Sequence, residues 1–264
     1  MGGFENTEVF KKLGELAKPG ECKKAICEIH GEYVSTQYFK DHWSKCPVCA
    51  GIEMKEYNEL EHQKMLTEQR EGKIESWLRR SHVPERFRQC TFDNYKLDNP
   101  GQEKAFKKSK EYYNNFNEIK KTGSSLFYCG NYGTGKTHLA IAILLQLIRD
   151  DSCTGLYSTT MRMIRDIRSS YGNNDIVEQD IIDNYVDTGL LVLDEVGVQI
   201  GTEAEKLLIY EVVNGRYENY KPTILISNLS FNEMTEYLGA RSIDRLKSKS
   251  GSMVVMDWES YRSK

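Results

Sequence analysis

Prolines are scarce and apolar runs are short in this chain of 264 residues, which carries five prolines and 20 scattered glycines. That composition excludes collagen-like and low-complexity classes. No stretch reaches the roughly 18 consecutive apolar residues that a membrane helix needs, so no membrane association is expected. The opening segment, MGGFENTEVFKKLGELAKPG, has no apolar core of the kind that marks an export signal, and a cytoplasmic location is expected. Asn6 stands where Ser or Thr would be needed for myristoylation of Gly2. Charge of one sign is also missing. The 36 Lys+Arg nearly balance the 39 Asp+Glu, for a net charge of −3. This excludes binding of nucleic acid by bulk charge but leaves room for a local basic stripe. Seven cysteines are an odd number in a chain without an export signal, so a disulfide framework is not expected. The chain is long enough for one or two domains with a real core.

The character of the sequence changes along its length. Residues 1–20 read as a short amphipathic helix ending near Pro19-Gly20, and residues 22–50 are cysteine-rich. Residues 51–80 are polar and helical in pattern, with sparse apolar positions, as in a solvated connecting helix. His82-Val83-Pro84 breaks that helix. Beyond it, the buried-strand runs SLFYC (125–129), GLYS (155–158), GLLVLDEV (189–196) and PTILIS (222–227) alternate with amphipathic stretches at 103–119, 137–149, 160–171 and 203–217. MVVMDW (253–258) reads as a further strand. Apolar strands separated by helices imply an α/β domain with a parallel sheet flanked by helices. The expected division is an N-terminal module over 1–55, a helical linker over 56–83 and an α/β domain over 84–264.

The segment Gly130-Asn131-Tyr132-Gly133-Thr134-Gly135-Lys136-Thr137 fits G-x-x-x-x-G-K-[ST] in full, and lies between an apolar strand and the amphipathic run HLAIAILLQLI that opens with His138. Such a loop lets backbone N–H groups close around a polyphosphate at a helix N-terminus. Lys136 can reach the β- and γ-phosphates, and the Thr137 hydroxyl can hold Mg²⁺. GLLVLDEVG supplies the complementary half. Asp194 ends an apolar strand as a magnesium-side carboxylate, and Glu195 is placed to polarise an attacking water. The pair predicts ATP binding with hydrolysis. A nucleotide kinase would carry the same pair, but would need an acceptor pocket that the sequence does not mark.

Cys27-x2-His30, fifteen intervening residues and Cys46-Pro-Val-Cys49 have the four-ligand spacing of a small zinc ribbon, with one histidine in place of a cysteine. Four protein ligands close the site, so the expected zinc is structural. Cys22 and His42 are spare donors. Zinc would supply folding energy that so short a module cannot draw from a core.

In six segments the chain resembles the DnaC/DnaI/IstB clade of AAA+ ATPases. These are Pro84 to Tyr95 (PERFRQCTFDNY), the phosphate loop, LLVLDEVG, PTILISNLSFNEM, LGARSIDRL and DWESYRS. The resemblance covers about two-thirds of the chain and implies an AAA+ P-loop ATPase. It further implies that Asn228 is the sensor-1 residue, Arg245 an arginine finger acting on a neighbouring subunit's ATP, Arg241 its companion, and Arg262 the sensor-2 position. Self-association through the ATPase domains follows. The family's partners are the replicative hexameric DNA helicase and single-stranded DNA, and the implied function is ATP-dependent loading of that helicase. The alternatives are an IstB-like ATPase that activates a transposase, and a non-motor adaptor that uses nucleotide as a switch. A zinc-bearing N-terminal module looks more like DnaI-type loaders or phage- or prophage-encoded relatives, where that domain grips the helicase. A zinc ribbon that binds nucleic acid directly is the other reading of this module. For the DNA strand, Arg162, Arg165 and Arg168 form a basic stripe ending at Tyr171, with Met161, Ile164 and Ile167 expected to face the core.

Overall fold

The computed structural model describes residues 20–39, 42–171, 177–198, 202–247 and 251–261. Apart from Gly20, the helix expected over 1–20 lies outside them, as does Arg262. The chain divides into two compact units, Met1–Gln69 and Arg70–Lys264.

In the first unit, β1 (Cys22–Cys27) and β2 (Gly31–Phe39) form an antiparallel hairpin in which Cys27 pairs with Gly31 and Cys22 with Thr36. The short β3 (His42–Trp43) adds to β2. A 34-residue helix, α1 (Pro47–Arg80), begins inside the second cysteine pair, with Pro47 at the first helical position, where its missing N–H costs nothing. No residue of α1 is buried. Ion pairs such as Lys55–Glu59 and Lys64–Glu61 lie along it, as the polar pattern predicts for a solvated helix. The hairpin has almost no core. Ile26, Ile29, Val34 and Tyr38 are all exposed, while Cys46 is buried.

The last turns of α1 belong to the second unit and depart from the solvated reading. Ile74, Trp77 and Leu78 pack against its core. Five parallel strands follow: β4 (Leu126–Gly130), β5 (Gly155–Thr159), β6 (Leu190–Asp194), β7 (Thr223–Ile226) and β8 (Ser252–Met256), in the spatial order β5-β6-β7-β4-β8. β4 to β7 are apolar along nearly their whole length because helices cover both sheet faces. Leu126 and Tyr128 of β4 face one core, and Phe127 and Cys129 face the other.

The helices are α2 (Pro100–Asn114), α3 (Phe116–Thr122), α4 (Lys136–Arg149), α5 (Thr160–Arg168), α6 (Glu178–Asp187), α7 (Glu203–Glu218), α8 (Phe231–Leu238) and α9 (Ala240–Lys247). The single helix expected over 103–119 is two. Asn115 closes α2, its N–H reaching Glu111 O at 3.0 Å, and the break lets Phe116 turn into the core at 2% exposure. On α5 the core face is Met163, Ile164 and Ile167, and Met161 is exposed. Thr159 caps α5 by accepting from the Arg162 amide, and Met163 and Ile167, four residues apart, share one face with Ile164, from which Met161 is turned away. No helix among the described residues is long and apolar enough to cross a membrane.

One charged residue is built into this core. Arg216 on α7 is 1% exposed. Its Nη1 donates to Tyr185 O at 2.7 Å, Val186 O at 3.0 Å and Thr188 O at 2.9 Å, which are carbonyls at the end of α6. Its Nε donates to Thr223 Oγ1 at 2.9 Å and its Nη2 to Pro222 O at 2.5 Å, at the start of β7. A helix leaves its last carbonyls without intrahelical partners and its C-terminus partly negative, and a guanidinium answers both. Burial pushes the Arg216 pKa down to about 9, so the charge survives at neutral pH. Replacing Arg216 with Met is expected to cost at least about 3 kcal/mol, because buried carbonyls on two elements lose their donor. Arg216→Lys should recover only part of that, having no planar fork. An unchanged urea midpoint for Arg216→Met would contradict this assignment.

Candidate functional site

β4 delivers the chain to the phosphate loop at Gly130, whose φ of +121° favours glycine and where a Cβ would meet Met256 O at 2.3 Å. The loop ends at Gly135, with φ +94° and the Tyr95 ring 2.7 Å from where a Cβ would be. Residues at 131–134 wrap between these points, and α4 starts at Lys136, so its first amides face the loop. Lys136 is 5% exposed. Its Nζ donates to Gly130 O at 2.9 Å and Asn131 O at 2.5 Å, which holds the ammonium at the centre of the loop. The segment after β8 braces the loop from outside. Asn131 N donates to Met256 O at 2.9 Å, Asn131 Nδ2 to Asp257 O at 2.7 Å and Tyr261 N to Gly133 O at 2.9 Å.

Asp194 ends β6 and is buried beside the start of α4. Its Oδ2 accepts from Thr137 Oγ1 at 2.8 Å and from the Tyr157 hydroxyl at 3.1 Å, and its Oδ1 accepts from the Glu195 N–H at 2.7 Å. Burial pushes the Asp194 pKa up, and the three hydrogen bonds oppose it by favouring the carboxylate. Burial and the neighbouring Asp194 charge push the Tyr157 pKa up, so its hydroxyl stays a donor. Glu195 has left-handed backbone, φ +58°, uncommon for a residue with a side chain. The turn takes Glu195 out of the strand line and onto the wall of a cavity of about 780 Å³. Asn228, two residues beyond β7, lines the same cavity with the phosphate loop, Asp194 and Tyr157. Parallel strands put all their C-terminal ends on one edge, which is how residues from β4, β6 and β7 converge.

Arg86, Phe87, Tyr95, Lys96 and Tyr261, to which no motif assigns a role, also line the cavity, with the Lys96 ammonium 4.8 Å from the Tyr261 ring. His138 meets Tyr95 edge-on at 5.4 Å, and its Nε2 lies 2.8 Å from Thr91 O. Such a cavity can hold a nucleoside triphosphate with its phosphates on the loop.

Other expected residues lie apart from the cavity. Arg241 and Arg245 are on α9. The Arg245 guanidinium lies over the Tyr210 ring at 4.7 Å, with Tyr217 at 5.9 Å. On α5, Arg162 pairs with Asp166 at 3.7 Å and Arg168 with Glu205 at 3.6 Å, while the Tyr171 hydroxyl donates to Glu178 at 3.1 Å. Three members of the basic stripe thus have local partners.

The cysteine and histidine pairs meet in the first unit. Cys27 and His30 sit at the β1–β2 turn, and Cys46 and Cys49 at the start of α1. His30 Nδ1 lies 3.6 Å from Cys27 Sγ, 3.7 Å from Cys46 Sγ and 3.3 Å from Cys49 Sγ, and Cys27 Sγ is 3.6 Å from Cys49 Sγ. All four donor atoms fall within 4.8 Å of one another. Sulfurs about 2.3 Å from a tetrahedral zinc are about 3.7 Å apart, so the set fits that ion. Amides of Ile29 and His30 lower the Cys27 pKa to about 6, while Cys27 and burial raise that of Cys49 to about 11. Bringing more than one of these sulfurs to the thiolate form calls for a cation.

The sequence pattern of the IstB-like ATP binding protein family matches residues 56–264. The replicative helicase loader DnaC of Buchnera aphidicola subsp. Baizongia pistaciae is 34% identical over 210 residues, spanning 79% of this chain and 84% of that protein. DnaC of Escherichia coli strain K12 is 31% identical over 197 residues, spanning 75% and 79%. A crystal structure of the DnaC helicase loader superimposes with a TM-score of 0.58 at 23% identity, covering 66% of this chain and all of that one.

The geometry of the four-donor cluster leads to a direct measurement. Metal analysis of the purified chain is expected to find about one zinc per chain, and Cys46→Ser to reduce it to near zero. A full equivalent retained by Cys46→Ser would reject the ligand set.

Proposed function

This chain belongs to the IstB-like ATP binding protein family, and from that premise we propose that it is a magnesium-dependent AAA+ ATPase that loads a replicative hexameric DNA helicase onto single-stranded DNA. The single observation that carries the ATPase half is the meeting of the phosphate loop, Asp194, Glu195 and Asn228 on one cavity. The loader half is supported by relatives named replicative helicase loader that align over most of both chains. The same relatives favour a helicase over a transposase as the partner.

Each residue has a proposed task. Lys136 leaves the loop carbonyls to hold the β- and γ-phosphates of ATP. Thr137 and Asp194 hold Mg²⁺, which neutralises phosphate charge and orients the leaving group when bound. Glu195 takes the proton of the attacking water, and Asn228 orients that water. Arg245, with Arg241, leaves Tyr210 to reach the nucleotide of a neighbouring copy, so that hydrolysis depends on self-association. Arg262 is the sensor-2 residue. The module over 1–55, stabilised by zinc, grips the helicase, the linker over 56–83 connects, and the ATPase domain over 84–264 engages single-stranded DNA through the α5 stripe.

Substitutions in the phosphate loop and at Glu195 check the ATPase half. Lys136→Ala is expected to abolish ATP binding in a fluorescent-nucleotide titration. Glu195→Gln should bind normally yet turn over about 10²- to 10⁴-fold more slowly. Equal turnover by Glu195→Gln and the parent chain would remove Glu195 from the chemistry. For the loader half, the full chain is expected to co-purify with a replicative helicase and to raise the helicase bound to a single-stranded circle. Capture of a transposase and no helicase would move the protein to the other branch of its family.

A further inference from the structure

The magnesium-side carboxylate is held by a hydroxyl that no sequence motif marks. β5 lies beside β6 in parallel register, with Tyr157 opposite Val192 and Thr159 opposite Asp194. Val192 and Asp194 are two apart on one strand and share a sheet face, and Tyr157 packs into the same core cluster as Val192. The Tyr157 ring therefore lies along that face, and its hydroxyl reaches Asp194 Oδ2 at 3.1 Å, the oxygen that also accepts from Thr137. The ring is 6% exposed. Its backbone is fixed as well. β5 is an edge strand, and the Tyr157 N–H on its open side donates to Ser81 O at 2.8 Å. Ser81 is fully buried, and its hydroxyl donates to Leu78 O at 2.7 Å. Both ends of the tyrosine are thus anchored.

We propose that Tyr157 is a positioning residue for Asp194, fixing the carboxylate rotamer that presents it with Thr137 to magnesium. The inference rests on the ATPase reading above. A carboxylate at a strand end has a broad terminal torsion. Among the described residues, Asp194 Oδ1 is held by the amide of the next residue, at a left-handed turn. Thr137 is itself proposed to serve the metal, so it cannot be the only group that aims the carboxylate. The Tyr157 hydroxyl comes from a strand outside both motifs, and its position does not depend on the metal or on Thr137. Loss of such a hydrogen bond to a charged group corresponds to about a tenfold change in an equilibrium it controls.

Tyr157→Phe keeps the ring and deletes the hydroxyl. Binding of a fluorescent ATP analogue to the full chain would be titrated in EDTA and across a magnesium series, with thermal melting run in parallel. The expected result has three parts: affinity in EDTA and melting temperature close to the parent chain, about a tenfold higher magnesium concentration for half-maximal tightening, and turnover restored at high magnesium. An unchanged magnesium midpoint would overturn the positioning role. So would an equal loss of affinity with and without magnesium, which would mark general damage to the site. Failure of the parent chain to bind the nucleotide in either condition would overturn the ATPase reading itself, and this inference with it.

Discussion

The hydrogen bond from Thr137 Oγ1 to Asp194 Oδ2, at 2.8 Å, joins the first turn of α4 to the end of β6. Few contacts in the second unit constrain more. It requires the phosphate loop to end at Lys136, β6 to end at Asp194, and the sheet to bring these ends to one edge although β7 lies between β4 and β6. A carboxylate at that depth is costly unless it is hydrogen-bonded. Donors come from α4, from β5 and from its own backbone, so three elements must agree before the charge can be buried.

The two units solve the problem of stability by different chemistry. The second buries apolar strands on both faces of a sheet and needs no external help. The hairpin and the start of α1 leave Ile26, Ile29 and Val34 in water and converge instead on four donor atoms. A metal held by that set would make folding and metal binding one equilibrium for the module. Arg216 is a third solution, in which a buried cation stands in for the capping residues that α6 lacks at its end.

Much of this was legible in the sequence, for identifiable reasons. The phosphate loop, the apolar strands and the cysteine spacing are local patterns, and the loop and Asp194 come together because a parallel sheet allows little else. Contacts between distant segments left no such trace. Tyr157 in GLYST looks like any core strand residue, since the meaning of its hydroxyl depends on β6 lying alongside. Arg216 reads as a solvated helix residue until α6 and β7 are placed around it. The helix over 178–187 carries a helical apolar face in Ile182, Tyr185 and Val186 that the strand-and-helix pattern drawn from the sequence leaves out. On α5 the expected set Met161, Ile164 and Ile167 spans a wide arc, and the buried face is the narrower one of Met163, Ile164 and Ile167, which the i, i+4 spacing of Met163 and Ile167 already defines. Tyr95 and Tyr261 sit in segments whose family resemblance was plain, but only the folded chain shows them at the cavity wall.

The brace on the phosphate loop has a consequence for how the protein is made. Asn131 is tied to Asp257 across 126 residues of chain, and β4 gains its outer neighbour only when β8 arrives. Contacts of that sequence separation form late, because loop-closure entropy must be met before they can contribute. A chain still emerging from the ribosome, complete through α4 but lacking β8, would carry every residue of the phosphate motif without the frame that shapes it. The frame of the phosphate loop is thus completed by the last strand of the chain, and the motif alone is not yet the site.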